Sequence, residues 1–277
     1  MELNEIERHW TNWAKEFKLD VRATTKTRTI KELEIAALGR SFKKTHFFGR
    51  TNCRVLEVGC GNGHNCFMLS DLFPDFVFTG VDFIPEMISN AIEIRSSQPK
   101  YASLNFHTGN ILTLDDCGNL DEQYHIVFTD RCLINLNTHE LHKNALDQLY
   151  RKTIPGGYVV LIENVQDTYS RQNRLRESVG LKPRTPEAFN LFIDEPAFLP
   201  YAKTMLTLLS VEDFASLHDL LLYVLVPILN NGNVDYDAAI VKAATTLSLS
   251  APEDLSGAVG SFGQNRLYMF RKECSNA

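Results

Sequence analysis

Apolar positions near the start of the chain recur at helical spacing. Ile6, Trp10, Trp13 and Phe17 stand at i, i+4, i+7 and i+11, one stripe of an amphipathic helix over residues 4–18. The polar, β-branched stretch after Arg22 reads as a loop. Thr29 followed by Glu32 has capping-box spacing and opens a second helix through Leu33, Ile35, Ala36 and Leu38. Beyond residue 50 the rhythm changes to short apolar runs alternating with helical stretches. Strands are predicted at 54–58, 76–81, 104–107, 125–129 and 158–163, with helices at 64–72, 85–95 and 139–151 between them. This alternation implies an α/β fold, a parallel sheet covered on both faces by right-handed crossovers. The PGG turn at 155–157 stops a helix and launches the fifth strand. After Glu163 the rhythm breaks. Residues 165–200 are polar and proline-containing, and 205–211 reads as a sixth strand. Residues 217–258 are mainly helical, with 220–229 and 236–247 as helix candidates, and 266–271 closes the chain as a strand.

One segment changes what this pattern means. Residues 54–64 read RVLEVGCGNGH: an apolar strand, an acid at its end, and glycines at 59, 61 and 63 where a helix begins. Glycine permits a sharp bend and lets a ligand lie against bare backbone. A dinucleotide loop has G-x-G-x-x-G with an acid about 20 residues on, whereas the spacing here is G-x-G-x-G with Glu57 ahead of the first glycine. A plain tight turn is the bland alternative. The second strand ends in TGVD at 79–82, placing Asp82 at the carboxyl edge of the sheet, either as an acceptor for ribose hydroxyls or as a cap for the helix at Pro85. The third strand is followed by Gly109, Asn110 and Ile111.

These motifs, in order over residues 53–163, resemble class I S-adenosylmethionine (SAM)-dependent methyltransferases. The resemblance extends to HIVFTD at 125–130 and IPGGYVVLIE at 154–163. It implies a Rossmann-like, seven-stranded, mostly parallel sheet with an antiparallel last strand, helices on both faces, and helical cap insertions after strands five and six. The expected division is an N-terminal lid at 1–50, a SAM-binding core at 51–164, a cap insert at 165–200, and 201–277 completing the core around a helical insert at 217–258. The implied cofactor is SAM, with S-adenosylhomocysteine as product. Its implied contacts are Glu57 at the methionine moiety, Gly59, Cys60 and Gly61 in the loop, Asp82 at the ribose with Phe83 and Met87 beside it, Asn110 and Ile111 at the adenine, and Asp130. Asn110 stands where the family usually carries Asp; its side-chain oxygen is still an acceptor. Arg22 and Thr25, with Trp13 and Lys26, are expected in a lid over the cofactor, Arg22 and Lys26 because few acids lie nearby; packing explains Trp13 equally well. RATT at 22–25 and RCLINL at 131–136 are similar to a subgroup of bacterial methyltransferases associated with surface-polysaccharide genes.

Composition narrows the partners. The 277 residues carry 28 basic and 34 acidic side chains, net −6, which disfavours nucleic acid as a partner. The six cysteines form no C-x-x-C pair and no metal-ligand spacing, so free, mostly buried thiols in a cytoplasmic protein are expected. No signal peptide or membrane span is read. Oligomeric state, monomer or dimer, is left open.

Ligands of open α/β sheets sit beyond the carboxyl ends of the strands. Candidates for acceptor chemistry are therefore Asp130, Arg131 and Asn135 after strand four, and Glu163 and Asn164 after strand five. Arg131 and Asn135, four apart, either orient a substrate or brace their loop. Glu163 is a candidate base or a hydrogen-bonded structural acid. His218 is a candidate base or an exposed surface histidine, and His139 and His142 read as solvated. In the insert, Arg171, Arg174, Arg176, Lys182 and Arg184 form a basic concentration, either an anion site or a solvated helix face; Asn173 and Asn190 are further polar candidates. The catalytic set is thus Glu163, Arg131 and His218, and the substrate set Arg131, Asn135, Asn164, Asn173, Arg176 and Asn190. The expected acceptor is an O or N atom of a small, polar, anionic metabolite or sugar derivative, in surface-polysaccharide biosynthesis. An NAD-dependent oxidoreductase and a non-catalytic SAM-binding scaffold are the alternatives.

Overall fold

The computed structural model describes residues 1–25, 27–255 and 258–274. Five strands, β1 (Cys53–Val58), β2 (Phe76–Asp82), β3 (Asn105–Thr108), β4 (Tyr124–Asp130) and β5 (Thr153–Asn164), run parallel. The edge strand β6 (Thr207–Glu212) and β7 (Asn265–Arg271) complete the sheet, and β7 pairs antiparallel with both β5 and β6. The order is β3-β2-β1-β4-β5-β7-β6. The chain winds outward in opposite directions from β1 and β4, which creates a crevice above their carboxyl ends.

Strand side chains alternate between two cores. Val55, Phe78, Ile126, Phe128 and Val160 pack with Leu38 and Phe42 of α2 (Arg28–Lys43) and with Cys66 and Leu69 of α3 (His64–Leu72). Ile88 and Ala91 of α4 (Pro85–Ser97) join that face. Leu56, Val58, Val127, Val159 and Leu161 pack on the other face with Leu146 and Leu149 of α5 (His139–Arg151). β5 is buried without a break from Gly157 to Asn164, as a strand covered on both faces must be.

Three additions surround the crevice. The first is α1 (Leu3–Phe17), whose Trp10, Ala14 and Phe17 meet Ile84 and Met87 at the start of α4. The second is the segment after β5, with α6 (Gln166–Ser178) and α7 (Glu195–Ala202). The third, after β6, holds a helical run over 216–229 with a π-helical turn at Leu221–Leu225, followed by a helix at Ala239–Ser250 packed on α2.

Two local expectations are corrected. The N-cap of α2 is Thr27, whose hydroxyl accepts the Thr29 amide at 3.3 Å, so Thr29 is already helical. His142 is not solvated: it is 1% exposed on the inner face of α5, and its burial lowers its pKa to about 4. All six cysteines are free, and among the described residues no helix is long and apolar enough to cross a membrane.

Candidate active site

The glycine segment turns where the sheet opens. Gly59, Gly61 and Gly63 have φ of +78°, +53° and +81°, conformations that L side chains rarely adopt. The amides of Gly59 and Cys60 both donate to the Val81 carbonyl, and Gly61 N–H donates to Asp82 Oδ2 at 2.7 Å. The bend is thereby latched to the end of β2. A Cβ on Gly61 would lie 2.4 Å from Thr24 Cγ2, and one on Gly59 2.5 Å from Cys132 Sγ, so neighbouring loops close tightly over it.

A cavity of about 570 Å³ opens beside this bend, within the range of small-ligand sites. Of the expected cofactor contacts, Thr25, Gly59, Gly61, Asp82, Phe83, Met87, Asn110, Ile111 and Asp130 line it. Asp82 accepts one backbone amide on each oxygen, from Gly61 and from Ile84, leaving further lone-pair sites on both. Burial raises its pKa, and the amides of Ile84 and Gly61 pull it back. Asn110 Oδ1 accepts the Leu112 amide at 2.9 Å while the residue lines the cavity, which leaves a further lone pair and the Nδ2 donors uncommitted by that bond.

Three expected cofactor contacts do not line the cavity. Glu57 is 1% exposed beneath the loop, accepting from Asn65 Nδ2 at 2.7 Å and Cys66 Sγ at 3.0 Å. Burial pushes its pKa up to about 8, so it holds the loop and α3 together as a largely neutral acid. Cys60 is buried against Gly80. Arg22 points outward and closes a bidentate pair with Asp20, an acid that the sequence reading passed over. Lys26 lies outside the described residues.

Under the centre of the cavity is a buried charge network. Lys31 Nζ sits 2.6 Å from Asp130 Oδ2 and 2.8 Å from Glu34 Oε2, and Arg131 Nε is 2.9 Å from Glu34 Oε1. Burial opposes ionisation of Asp130, but the Lys31 ammonium and Arg131 guanidinium outweigh it and hold the carboxyl below its ordinary range. Arg131 has φ +57° and also donates to the Thr24 carbonyl, so α2, the lid loop and the end of β4 meet at this residue.

The expected acceptor residues divide. Arg131, Asn135, Asn164 and Asn190 line the cavity. Asn135 braces: its Nδ2 donates to the Arg131 carbonyl and its Oδ1 accepts Trp10 Nε1 at 3.0 Å. Glu163 does not line the cavity. It is 0% exposed, accepting from Thr129 Oγ1 and from the amides of Cys132, Leu133 and Ile134, and burial pushes its pKa up to about 7. It therefore ties down the turn after β4 from behind the cavity wall. His218 is fully buried, neither exposed nor at the cavity wall, bonded to Thr29 Oγ1 at 3.0 Å and Asp219 Oδ1 at 2.7 Å. Asn173 and Arg176 are also behind the wall. Asn173 clamps the backbone of Arg184, and Arg176 donates to the carbonyls of Lys182 and Tyr223.

The far wall brings Arg184, one of the basic residues of the insert, together with Trp10 of the first helical stripe and with Tyr169, Phe189, Tyr223 and Asn265, which no motif or periodicity singled out. The carboxamide oxygens of Asn164, Asn190 and Asn265 and the Tyr169 hydroxyl are buried without a hydrogen-bond partner among the described residues. Such groups are costly unless a ligand or water completes them. His9 stacks on Phe189 at 4.2 Å, which closes α1 onto the cap segment.

A doubly wound sheet with a glycine bend and a second-strand acid facing a cavity at its switch point defines a nucleoside-binding α/β protein. The residues present fit SAM: a bare backbone bend, an acid with lone pairs that would suit a ribose diol, and the apolar Met87 and Ile111 on the same wall, suited to a planar base. Comparison with known proteins takes this further. The model of the methyltransferase-domain family matches residues 50–190, and the chain belongs to the class I SAM-dependent methyltransferase family. The dinucleotide alternative is thereby set aside.

Malonyl-[acyl-carrier protein] O-methyltransferase of Bacillus cereus is 26% identical over 149 residues, 52% of this chain and 51% of that protein. Mouse arsenite methyltransferase is 30% identical over 112 residues, 38% of this chain and 29% of the relative. The chain thus spans about half or less of the length of these curated relatives. N-methyltransferase NodS from Bradyrhizobium japonicum, solved with S-adenosylhomocysteine, shares the fold at a TM-score of 0.54 and 14% identity, over 97% of each chain.

Proposed function

We propose that this chain transfers the methyl group of SAM to an oxygen or nitrogen of a small, polar, anionic metabolite or sugar derivative. The observation that carries the reading is a single cavity running from the glycine bend to a wall of aromatic, amide and guanidinium groups, roofed by α1 and the cap segment. Its volume suits one small acceptor beside a nucleoside. The free thiols favour a reducing, cytoplasmic setting. Surface-polysaccharide biosynthesis is the setting suggested by the resemblance in residues 22–25 and 131–136.

SAM supplies an already activated methyl group, so the chain's task is alignment and exclusion of water. Gly59, Gly61, Asp82 and Asn110 would hold the nucleoside. Arg131 and Asp130, fixed by Lys31 and Glu34, set a rigid and nearly charge-balanced floor. Trp10 and Trp13 are tied down through Asn135 and the Arg22 carbonyl, and close the site against solvent. Asp219 lines the cavity and is held in place by His218 and by the Gln264 amide, which fixes its carboxylate at the acceptor end.

The test is incubation of the purified protein with methyl-labelled SAM and a panel of hydroxy acids, amino acids, sugar phosphates and uronic acids. Label transfer with matching S-adenosylhomocysteine formation supports the reading. Tight cofactor binding with no transfer to any acceptor favours the scaffold alternative.

A further inference from the structure

The geometry points to Arg184 as the seat of an acceptor oxyanion, a carboxylate or a phosphate, at the end of the cavity remote from the glycine bend. The inference rests on the methyltransferase reading and names a recognition residue for it.

Arg184 lines the cavity and is half-buried. Its backbone is held in both directions by the Asn173 carboxamide: Nδ2 donates to the Arg184 carbonyl at 2.9 Å, and Arg184 N–H donates to Oδ1 at 2.9 Å. Its guanidinium lies over the Tyr223 ring, 3.5 Å from the centroid, with the Tyr169 ring at 5.1 Å. Two N–H groups donate to amide oxygens, Gln172 Oε1 at 3.1 Å and Gln264 Oε1 at 3.2 Å. A guanidinium has five N–H donors, so donors remain for a ligand.

Charge is what makes this a site. Among the described residues Arg184 forms no salt bridge, whereas the other arginine of the cavity wall, Arg131, is paired with Glu34 and Asp130. Behind Arg184, Arg176 is 5% exposed, and its guanidinium donates to the neutral carbonyls of Lys182 and Tyr223. Burial, and then the nearby Arg184, lower the pKa of Arg176. The acids that line the wall are Glu7, Asp82, Asp130, Glu187 and Asp219, and among the described residues none of them forms a salt bridge with Arg184; Asp219 is bonded to His218 and the Gln264 amide, and Asp130 to Lys31. Two neighbouring guanidiniums are thus held by neutral oxygens and aromatic faces, with no carboxylate in direct ion-pair contact among the described residues. An oxyanion there gains charge-assisted and potentially bidentate hydrogen bonds. The unpartnered Tyr169 hydroxyl and Asn190 carboxamide stand on the same wall, ready to meet hydroxyl or amine groups of the same molecule.

The experiment titrates the full chain, saturated with S-adenosylhomocysteine, by calorimetry and thermal shift. The probes are malonate, glycolate, inorganic phosphate and glucose 1-phosphate, with malonamide and ethylenediamine as neutral and cationic controls. Wild type should bind at least one oxyanion and neither control. Arg184→Gln should weaken that binding about tenfold or more, and Tyr223→Leu, which removes the stack but keeps the charge, should weaken it severalfold. Both variants should bind S-adenosylhomocysteine as wild type does, which also certifies their folding. The carboxylate and phosphate arms tell which oxyanion the seat takes. Equal anion binding in Arg184→Gln, no binding of any anion, or preference for the diamine would overturn the inference. Failure of wild type to bind S-adenosylhomocysteine would instead overturn the methyltransferase reading beneath it.

Discussion

At the glycine bend the cavity wall is made by backbone geometry drawn from a short stretch of chain. Gly59, Gly61, Asp82, Asn110 and Ile111 follow three consecutive strands, and the sheet alone brings them together. At the opposite end the wall is made by side chains from α1, the cap segment, the π-helical turn and β7, where Trp10, Arg184, Tyr223 and Asn265 meet across more than 250 positions. In the proposed reading the first region would hold the cofactor and is bound to the fold. The second, drawn mostly from segments outside the sheet, would set the acceptor. The buried network of Lys31, Glu34, Asp130 and Arg131 is the joint between them.

The sharpest way to break the comparison is at that joint. Lys31→Met leaves Asp130 and Glu34 buried without their shared cation and should destabilise the fold by about 3–5 kcal/mol. It should also weaken the cofactor and acceptor ends together; chemical denaturation with parallel ligand titration checks this. Next, Gly61→Val places a side chain at φ +53° and against Thr24. That strain, on the order of 3 kcal/mol, should cut SAM affinity ~100-fold, read by equilibrium dialysis, while oxyanion binding at Arg184 survives. Trp10→Ala cuts the lid's tie to Asn135 and should raise acceptor KM about three- to tenfold with SAM KM nearly unchanged.

The smallest effect is expected from Glu57→Gln. Because the Glu57 pKa is raised from 4.5 to about 8 in the fold, the protonated form is favoured there. Its contribution is full below pH 4.5 and is lost as pH rises towards 8. The glutamine variant, which cannot ionise, should match wild type near pH 4.5 and be the more stable of the two by pH 8, by thermal melts across that window. Its SAM affinity at pH 6 should be unchanged.

The same contrast governs what can be read from the chain. Strand–helix alternation, the glycine spacing and Asp82 are local signals, and the sheet places them where their spacing implies. Glu57 and Glu163 mislead because an acid in a loop motif is equally apt to serve backbone amides or neighbouring side chains from below as a ligand from above, and burial decides between the two. Arg184 is one of five basic residues in its insert. What distinguishes it from Arg171, which is paired with Asp167 on an exposed helix face, is the rings and amides that fold around it. Those neighbours come from Tyr169, Tyr223 and Gln264, positions with no periodic relation to residue 184. His218 looks ordinary in sequence until Thr29, 189 residues away, closes on it.

The account's central claim is that the glycine bend and Asp82 cradle the adenosyl group of SAM. Isothermal titration of SAM into wild type and Asp82→Ala tests it most directly. Saturable one-to-one binding to wild type is expected, weakened ~10- to 100-fold in the variant, which loses charged acceptors for the ribose and the latch on Gly61. No saturable binding to wild type, or equal affinity in both proteins, would contradict it.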